Sequence, residues 1–290
     1  MRYQKILGTT KITGLIGNPV SHSLSPLIHN HGFASLNLDY TYIPLGISNQ
    51  GLSGLIETLK NLSFAGANVT IPYKSSVLSL CDEVSELSQL TGTVNTLYYK
   101  KNCLYGTTTD GIGFLKALEN DGQKVQGRSV TIIGNGGTAR TLAIILAYQE
   151  SPASLTLLGR NKEKLATLAQ EVMSKTKMII ATAVIGSPEE TEVLATTDIL
   201  INCTPVGMHP NEDATPINTA LVPPSCYVFD AIYNPAETRL LKETRVQGSS
   251  GQNGLMMLLM QGLASFEYWT DTPISPDLFD LDELQQTLTQ

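Results

Sequence analysis

The chain has 290 residues, a hydrophobic content of 42%, a charged content of 16% and a formal net charge of −7. This length predicts about two domains, and the composition is that of a folded protein. The acidic balance argues against a general role on nucleic acids or membrane surfaces. The most apolar windows, around 142–148 and 255–264, are too short to span a bilayer, and the N-terminus lacks a signal-peptide pattern.

The four cysteines lie far apart and form no CxxC pair. This spacing favours reduced thiols and a cytoplasmic location. Among the four histidines, His29 and His31 are the closest approach to a metal-binding pair. Both fall in a predicted helix, where residues i and i+2 point apart, so no metal is expected.

The first hundred residues alternate between strand and helix patterns, which predicts an α/β layer with parallel strand pairing. Strands are expected at 11–17, at 39–47 and in a third segment that ends at Pro72, and helices at 25–36, at 51–62 and from about 74. Ser25 is the predicted N-cap of the first helix. In the third strand, alternation places Asn68 and Thr70 on one face, while Val69 and Ile71 pack on the other.

A hairpin follows, with strands at 95–100 and 103–109, and then a helix from about Asp110, a candidate N-cap, to 120. The polar stretch 121–128 introduces a second βαβ series. Its strands are expected at 129–134, 154–159, 178–184, 198–203 and 227–232, with a helix at 138–149. An apolar helix from about 254 to 268 and an acidic, helix-bearing tail at 271–290 complete the chain.

A glycine-rich loop, GNGGTAR, lies between the strand at 129–134 and the following helix. Glycines allow a tight turn and a close approach to pyrophosphate, and the helix N-terminus supplies unpaired N–H groups. At the end of the next strand stands Arg160, with Lys162 and Lys164 behind it, where an acidic residue would favour NAD. These cations could simply begin a solvated helix, but they suit a 2′-phosphate, so NADP is the predicted cofactor.

Polar residues also gather near predicted strand ends in the first half of the chain. They are Ser23 and Ser25, Lys74, Asn95 and Asp110. Each has an ordinary explanation alone, as a cap, a turn former or a solvated lysine. Together they offer the hydroxyl, amide, carboxylate and ammonium groups that a polyhydroxylated, anionic small molecule requires.

The order of motifs NPVSHSLSP, GANVTIPYK, TVNT, TTTDG, GNGGTAR, CTPVGM, FDAIYNP and GLMMLLMQG resembles that of the shikimate dehydrogenase family, over roughly residues 12–270. The resemblance implies a two-domain α/β fold. An N-terminal substrate domain (1–110 and 254–290) and a Rossmann NADP domain (111–253) would hold the substrate between them, and the last helix would return to the first domain. Family members reduce 3-dehydroshikimate to shikimate with NADPH, in aromatic amino-acid biosynthesis.

The same resemblance implies roles for individual residues. Lys74 and Asp110 would be the catalytic pair, with the lysine protonating the reacting oxygen and the aspartate orienting it. The substrate would be bound by Ser23, Ser25, Thr70, Asn95, Tyr233 and Gln261. NADP would be bound by Gly134, Gly136, Gly137, Thr138, Ala139, Arg160, Lys164, Gly254 and Met257.

Three residues depart from the family pattern and affect the expected cofactor fit: Asn135, Gly159 and Met256 stand where alanine, asparagine and glycine are common. Two alternatives stay open. One is a quinate/shikimate dehydrogenase that works oxidatively, often with NAD, and the other is a non-catalytic NADP-binding protein on the same fold. The expected partner is a small-molecule substrate, with no nucleic acid and no membrane, and the protein is expected to be a monomer or a homodimer.

Overall fold

The computed structural model describes residues 6–48, 50–62 and 64–288. The chain divides into two compact units. The first runs to Phe114 and takes in Leu258–Leu288, and the second comprises Leu115–Met257. The boundaries predicted from the sequence lie at 110/111 and 253/254, and the assignment of one unit to substrate and the other to NADP stays a prediction.

The first unit contains a six-stranded sheet flanked by helices. Its strands are β1 (Lys11–Gly17), β2 (Tyr40–Gly46), β3 (Phe64–Val69), β4 (Glu83–Val84), β5 (Thr96–Lys100) and β6 (Cys103–Thr107). The helices that begin in its N-terminal part are α1 (Ser25–Ser35), α2 (Leu52–Lys60), α3 (Glu86–Thr91) and α4 (Asp110–Asn120). Two 3₁₀ turns, Ser76–Leu80 and Pro276–Leu278, also belong to this unit.

The strand order of this sheet is β2-β1-β3-β5-β6-β4. Parallel pairing is confirmed for β1 with β2 and β3, the strands that alternate with helices, whereas β3 and β5 run antiparallel. The reason is that β5 begins beside the C-terminal end of β3, where Val69 N donates to Asn95 O at 2.8 Å, and then runs back along β3. The hairpin of β5 and β6 is confirmed, and Lys101 and Asn102 both take the left-handed conformation of its two-residue turn.

The segment after β3 differs from its prediction in two ways. The strand ends at Val69, so alternation stops there, and the side chain of Ile71 is 64% exposed instead of packed. The helix expected from about 74 is the 3₁₀ turn Ser76–Leu80, and Lys74 lies in the loop before it. The loop is fixed by its backbone, because Lys74 O accepts the Val94 N–H at 2.8 Å.

The predicted N-cap role of Ser25 is also wrong. Ser25 is the first residue of α1, and the N-cap residue Leu24 offers no side-chain bond. The Ser25 N–H is accepted by Ser23 Oγ at 3.2 Å, which serves the same need of an unpaired N–H at a helix start. Asp110 is likewise the first helical residue of α4.

The second unit is a parallel six-stranded sheet covered by helices. Its strands are β7 (Ser129–Ile133), β8 (Ser154–Gly159), β9 (Ile180–Val184), β10 (Ile199–Asn202), β11 (Tyr227–Asp230) and β12 (Ser250–Gln252). Its helices are α5 (Gly137–Ile145, continued by a π-helical turn at Leu146–Glu150), α6 (Lys162–Thr176), α7 (Pro188–Ala195) and α8 (Arg239–Val246), with a 3₁₀ turn at Thr219–Leu221. The strand order β12-β11-β10-β7-β8-β9, parallel throughout, is that of a Rossmann fold and confirms the predicted class.

The last helices confirm the expectations for the C-terminal part. The apolar helix α9 (Leu255–Thr270) has its residues from Leu258 onward in the first unit, and α10 (Leu281–Thr287) lies in the acidic tail. The sequence patterns give no bounds for α6, which has 15 residues, and do not predict the short elements β4, α3, α7, α8 and β12. Within the described residues, no helix is long and apolar enough to cross a membrane.

Candidate active site

A chain of polar contacts joins four of the predicted site residues within the first unit. Lys74 Nζ forms an ion pair with Asp110 Oδ2 at 2.7 Å, and the two side chains are 31% and 15% exposed. Asn95 Nδ2 donates to the other oxygen, Asp110 Oδ1, at 2.8 Å, and contacts Gln261 Oε1 at 3.2 Å. The ammonium group is therefore held by a carboxylate that is itself held by a buried amide.

The orientation of the Asn95 amide is determined by its surroundings. Its carbonyl oxygen accepts the Thr109 N–H at 2.8 Å and the Thr96 hydroxyl at 2.9 Å. The reversed amide would place its NH₂ group against the Thr109 N–H and its oxygen against the carboxylate of Asp110. Both arrangements are repulsive, so the NH₂ group faces Asp110.

The two serines of the NPVSHSLSP motif are also brought together. Ser23 Oγ donates to Ser25 Oγ at 3.1 Å, and Ser25 is buried while Ser23 is half-buried. Thr70 directly follows β3, and its N–H donates to Ile16 O of β1 at 2.9 Å. Because β1 and β3 are parallel, their carboxyl ends meet at one edge, from which β1 leads into the serine loop.

A buried cluster of polar side chains, which the sequence does not predict, joins α1, β2, β3 and α9. Asn68 Oδ1 accepts from Tyr42 Oη at 2.9 Å and contacts His29 Nε2 at 3.1 Å, while Asn68 Nδ2 donates to Ser265 Oγ at 2.8 Å. The amide oxygen only accepts, so Nε2 of His29 carries the proton. Burial lowers the pKa of His29 to about 3, despite the opposing hydrogen bond to Asn68. The ring stays neutral and stacks on Tyr42, with centroids 4.4 Å apart.

The glycine-rich loop of the second unit has the features that a pyrophosphate site needs. Gly134 follows β7 with φ of +118°, a conformation that favours glycine. Cβ atoms added at Gly136 and Gly137 would meet no atom within 4 Å, so a ligand can approach the backbone closely. The N-cap of α5 makes no side-chain hydrogen bond, which leaves the helix N-terminus available to an anion. Thr138 is exposed and Ala139 is buried.

The cations expected at the 2′-phosphate lie after β8. Arg160 and Lys164 are exposed, and within the described residues neither side chain has an ion-pair partner. Gly159 has a packing role, because a Cβ there would lie 3.2 Å from Leu165 of α6. Arg140 of the GNGGTAR motif is instead paired with Glu171 of α6, and this pairing lowers the pKa of Glu171 to about 2.

The remaining predicted residues lie at the ends of β11 and β12. A Cβ at Gly254 would collide with the backbone of Ala231, and Gly254 N donates to Ile232 O at 3.0 Å. Tyr233 is half-buried, and burial raises the pKa of its hydroxyl. Met257 lies in the first turn of α9.

Asp230, the last residue of β11, is fully buried. Its carboxylate accepts from Asn202 Nδ2 at 3.0 Å, Ile232 N at 3.1 Å and Thr238 Oγ1 at 2.7 Å. Burial outweighs these bonds and raises the pKa of Asp230 to about 6.

Among residues 6–48, 50–62 and 64–288, no group of three histidine, cysteine or acidic side chains is arranged to hold a metal ion.

Comparisons with known proteins agree on one family. The family model described as the shikimate dehydrogenase substrate binding domain matches residues 15–97. A shikimate dehydrogenase (NADP(+)) of Alkaliphilus oremlandii is 39% identical over 274 residues, covering 94% of this chain and 96% of the relative.

Solved structures are similar over nearly the whole chain. Shikimate 5-dehydrogenase from Listeria monocytogenes, in complex with shikimate and NAD, has a TM-score of 0.90 at 32% identity, covering 99% of each chain. Quinate dehydrogenase from Corynebacterium glutamicum, in complex with NAD, has a TM-score of 0.85 at 26% identity, covering 97% of this chain and 99% of that one.

Proposed function

Because the chain belongs to the shikimate dehydrogenase family, we propose that it catalyses the reversible, NADPH-dependent reduction of 3-dehydroshikimate to shikimate. The observation that carries this proposal is the Lys74–Asp110 ion pair of 2.7 Å, backed by the buried amide of Asn95. A protein that only binds NADP has no need of an ammonium group held in this way.

Lys74 and Asp110 act at the oxygen of the carbonyl that is reduced. NADPH, when bound, supplies the hydride. The Lys74 ammonium group donates a hydrogen bond to that oxygen, stabilises the negative charge that develops there, and transfers its proton. Asp110 keeps the ammonium group in place, and we assign Asn95 and Gln261, whose side chains contact each other at 3.2 Å, to the ring hydroxyl groups.

Ser23, Ser25 and Thr70 bind the substrate carboxylate with their hydroxyl groups. The contact between Ser23 Oγ and Ser25 Oγ supports this role, because it brings two donors to one place at the start of α1. An anion at this point also benefits from the partial positive charge of the helix N-terminus. We assign Tyr233 to the substrate as well, on the resemblance of FDAIYNP to the family motif.

The residues of the second unit fit NADP. The open backbone at Gly136 and Gly137 and the uncapped start of α5 bind the pyrophosphate, with Gly134, Thr138 and Ala139 shaping the turn. Arg160 and Lys164, whose side chains have no ion-pair partner among the described residues, bind the 2′-phosphate. Gly254 and Met257 are assigned to the same cofactor at the start of α9.

The test is Lys74→Ala, with shikimate oxidation followed by the absorbance of NADPH. Loss of the proton donor should lower kcat by about 10³-fold or more, while the dissociation constant of shikimate changes little. The matched control is Lys60→Ala, which removes another ion-paired lysine of the same unit, 2.9 Å from Asp82. Equal kcat in the Lys74→Ala variant and the parent would contradict the catalytic assignment.

The similarity to a quinate dehydrogenase makes quinate oxidation the second candidate. The exposed cation at Arg160 favours NADP, whereas the quinate dehydrogenase was solved with NAD. Assays of shikimate and quinate, each with NADP and with NAD, separate the two candidates by kcat/KM.

We also propose a monomer or a homodimer that works in the cytoplasm on small molecules. All four cysteines carry free thiols, which supports a reducing compartment. Sedimentation of the purified protein over a range of concentrations tests the oligomeric state.

A further inference from the structure

Ser265, on α9, is fully buried and lies at the centre of a polar cluster. Its hydroxyl oxygen is 2.7 Å from Thr96 Oγ1, 2.8 Å from Asn68 Nδ2, 3.0 Å from Gln261 O and 3.3 Å from Thr109 Oγ1. A buried serine in a helix commonly bonds to the carbonyl oxygen four residues earlier. This tendency explains the contact with Gln261 O but not the other three contacts. The other contacts reach β3, β5 and the loop before α4.

The directions of these hydrogen bonds follow from the chemistry of each group. Asn68 Nδ2 can only donate, so Ser265 Oγ accepts from it and turns its own proton elsewhere. That proton has acceptors in reach at Gln261 O and at Thr96 Oγ1, and the contact with Thr96 is the shorter one. When Ser265 donates to Thr96, the proton of Thr96 is directed to Asn95 Oδ1, 2.9 Å away.

We propose that Ser265 is a positioning residue for the reaction, which acts through Thr96 to hold the Asn95 amide in the orientation that donates to Asp110. This inference rests on the proposed function. The sequence of contacts runs from Ser265 to Thr96, from Thr96 to Asn95, and from Asn95 to Asp110, which holds Lys74. Ser265 itself touches neither member of the Lys74–Asp110 pair.

Removal of the hydroxyl group has a defined consequence. In Ser265→Ala, Asn68 Nδ2 keeps only its longer contact of 3.3 Å to Asn95 O, and Thr96 Oγ1 loses its 2.7 Å contact with Ser265 Oγ. A buried donor without a good acceptor drives local rearrangement, here next to Asn95. The hydrogen bond from Asn95 to Asp110 is then weakened, and Asp110 orients the Lys74 ammonium group less firmly in the transition state.

The kinetic test compares Ser265→Ala, Thr96→Val and the double variant. We expect kcat to fall about tenfold in Ser265→Ala while the KM for shikimate changes less than about threefold. The double variant should be no slower than Thr96→Val alone, because Ser265 acts on Asn95 through Thr96. The proposal would be overturned if the fold-losses in kcat of the two single variants multiplied in the double variant. It would also be overturned if kcat and KM changed by the same factor in Ser265→Ala.

The control is Thr244→Val on α8. Thr244 is 1% exposed, and its hydroxyl group bonds to the carbonyl of Leu240 within its own helix. This variant removes an equally buried helical hydroxyl group with no connection to Asn95, so kcat should stay at the parent value. A tenfold fall in Thr244→Val would show that buried hydroxyl groups affect turnover generally, and would overturn the proposal.

A second measurement needs no turnover. The side-chain amide protons of Asn95, assigned by their loss in Asn95→Asp, should exchange with solvent roughly tenfold faster in Ser265→Ala than in the parent. If the parent does not oxidise shikimate, the proposed function fails, and the exchange rate still decides whether Ser265 holds Asn95. Unchanged exchange overturns the proposal. If Ser265→Ala does not fold, Ser265→Cys and Thr96→Val are measured in the same way.

Discussion

Gly66 of β3 lies against the indole ring of Trp269, and we expect Gly66→Ala to destabilise the first unit. A Cβ at this position would come closer than 3.0 Å to Leu97 O and to two atoms of the indole ring, Cδ1 and Nε1. Leu97 O belongs to the neighbouring strand and accepts the Trp269 Nε1–H at 2.9 Å. The new methyl group would therefore clash with a backbone carbonyl oxygen and with the Trp269 ring, which is only 6% exposed and has little room to move.

The expected cost has two parts. Overpacking a filled core costs about 1–3 kcal/mol, and loss of the indole hydrogen bond adds about 1 kcal/mol. A total of about 2–4 kcal/mol should lower the urea midpoint of this unit by about 1 M or more. Trp269 is the only tryptophan of the chain, so its fluorescence reports the unfolding of the first unit.

The control for this prediction is Gly54→Ala. Gly54 is exposed within α2, and a Cβ there would meet no atom within 4 Å. Alanine should leave stability unchanged or raise it by up to about 1 kcal/mol, through helix propensity. The reasoning is refuted if Gly66→Ala unfolds at the parental urea concentration with an unshifted emission spectrum.

Three further predictions concern the cofactor and the response to pH. Arg160→Ala should raise the KM for NADPH about tenfold or more and leave the KM for NADH nearly unchanged, because only NADPH carries the 2′-phosphate; parallel increases would argue against this contact. His29 has a pKa of about 3 when folded and 6.5 when unfolded, so stability is complete above pH 6.5 and falls as the pH drops toward 3. Between pH 7 and pH 5 this loss is about 2 kcal/mol by linkage, and urea titrations followed by Trp269 fluorescence should show a flatter pH dependence in His29→Gln. Asp230 has the opposite sign: its folded pKa of about 6 lies above the unfolded value of 3.8, so its contribution to stability is present below pH 3.8 and is lost as the pH rises through 6. Asp230→Asn should remove that slope, about 3 kcal/mol in all, from unfolding followed by circular dichroism; a slope equal to that of the parent would disprove it.

Local signals in the sequence were sufficient for much of the fold and for the groups of the candidate site. Lys101 and Asn102 predicted the hairpin turn, and the glycine-rich loop predicted the start of α5. The burial of Ile71 and the helix from about 74 were wrong, because both assumed that a local pattern continues past the end of β3. Tertiary contacts such as Val94 N to Lys74 O decide that segment.

The cluster around Ser265 could not be predicted in the same way. Ser265 and Thr96 are 169 residues apart, and the TVNT motif that contains Thr96 does not indicate a contact with Ser265. The sequence offers His29 only as half of a pair too poorly placed for a metal, whereas the structure places it in the core as a neutral donor to Asn68. Polar groups of this kind are recognised only when the partners that satisfy them are known.

The discontinuity of the first unit sets an order in which the chain can be completed during synthesis. Tyr40 Oη donates a hydrogen bond to Trp269 O, 229 residues later in the chain, and Asn68 Nδ2 donates one to Ser265 Oγ, 197 residues later. The second unit draws all its described residues from Leu115–Met257, so it is complete before those partners leave the ribosome. The first unit, whose N-terminal part is synthesised first, is thus the last to complete its fold. Until α9 is synthesised, Gly66, Asn68 and their neighbours lack the helix that covers them.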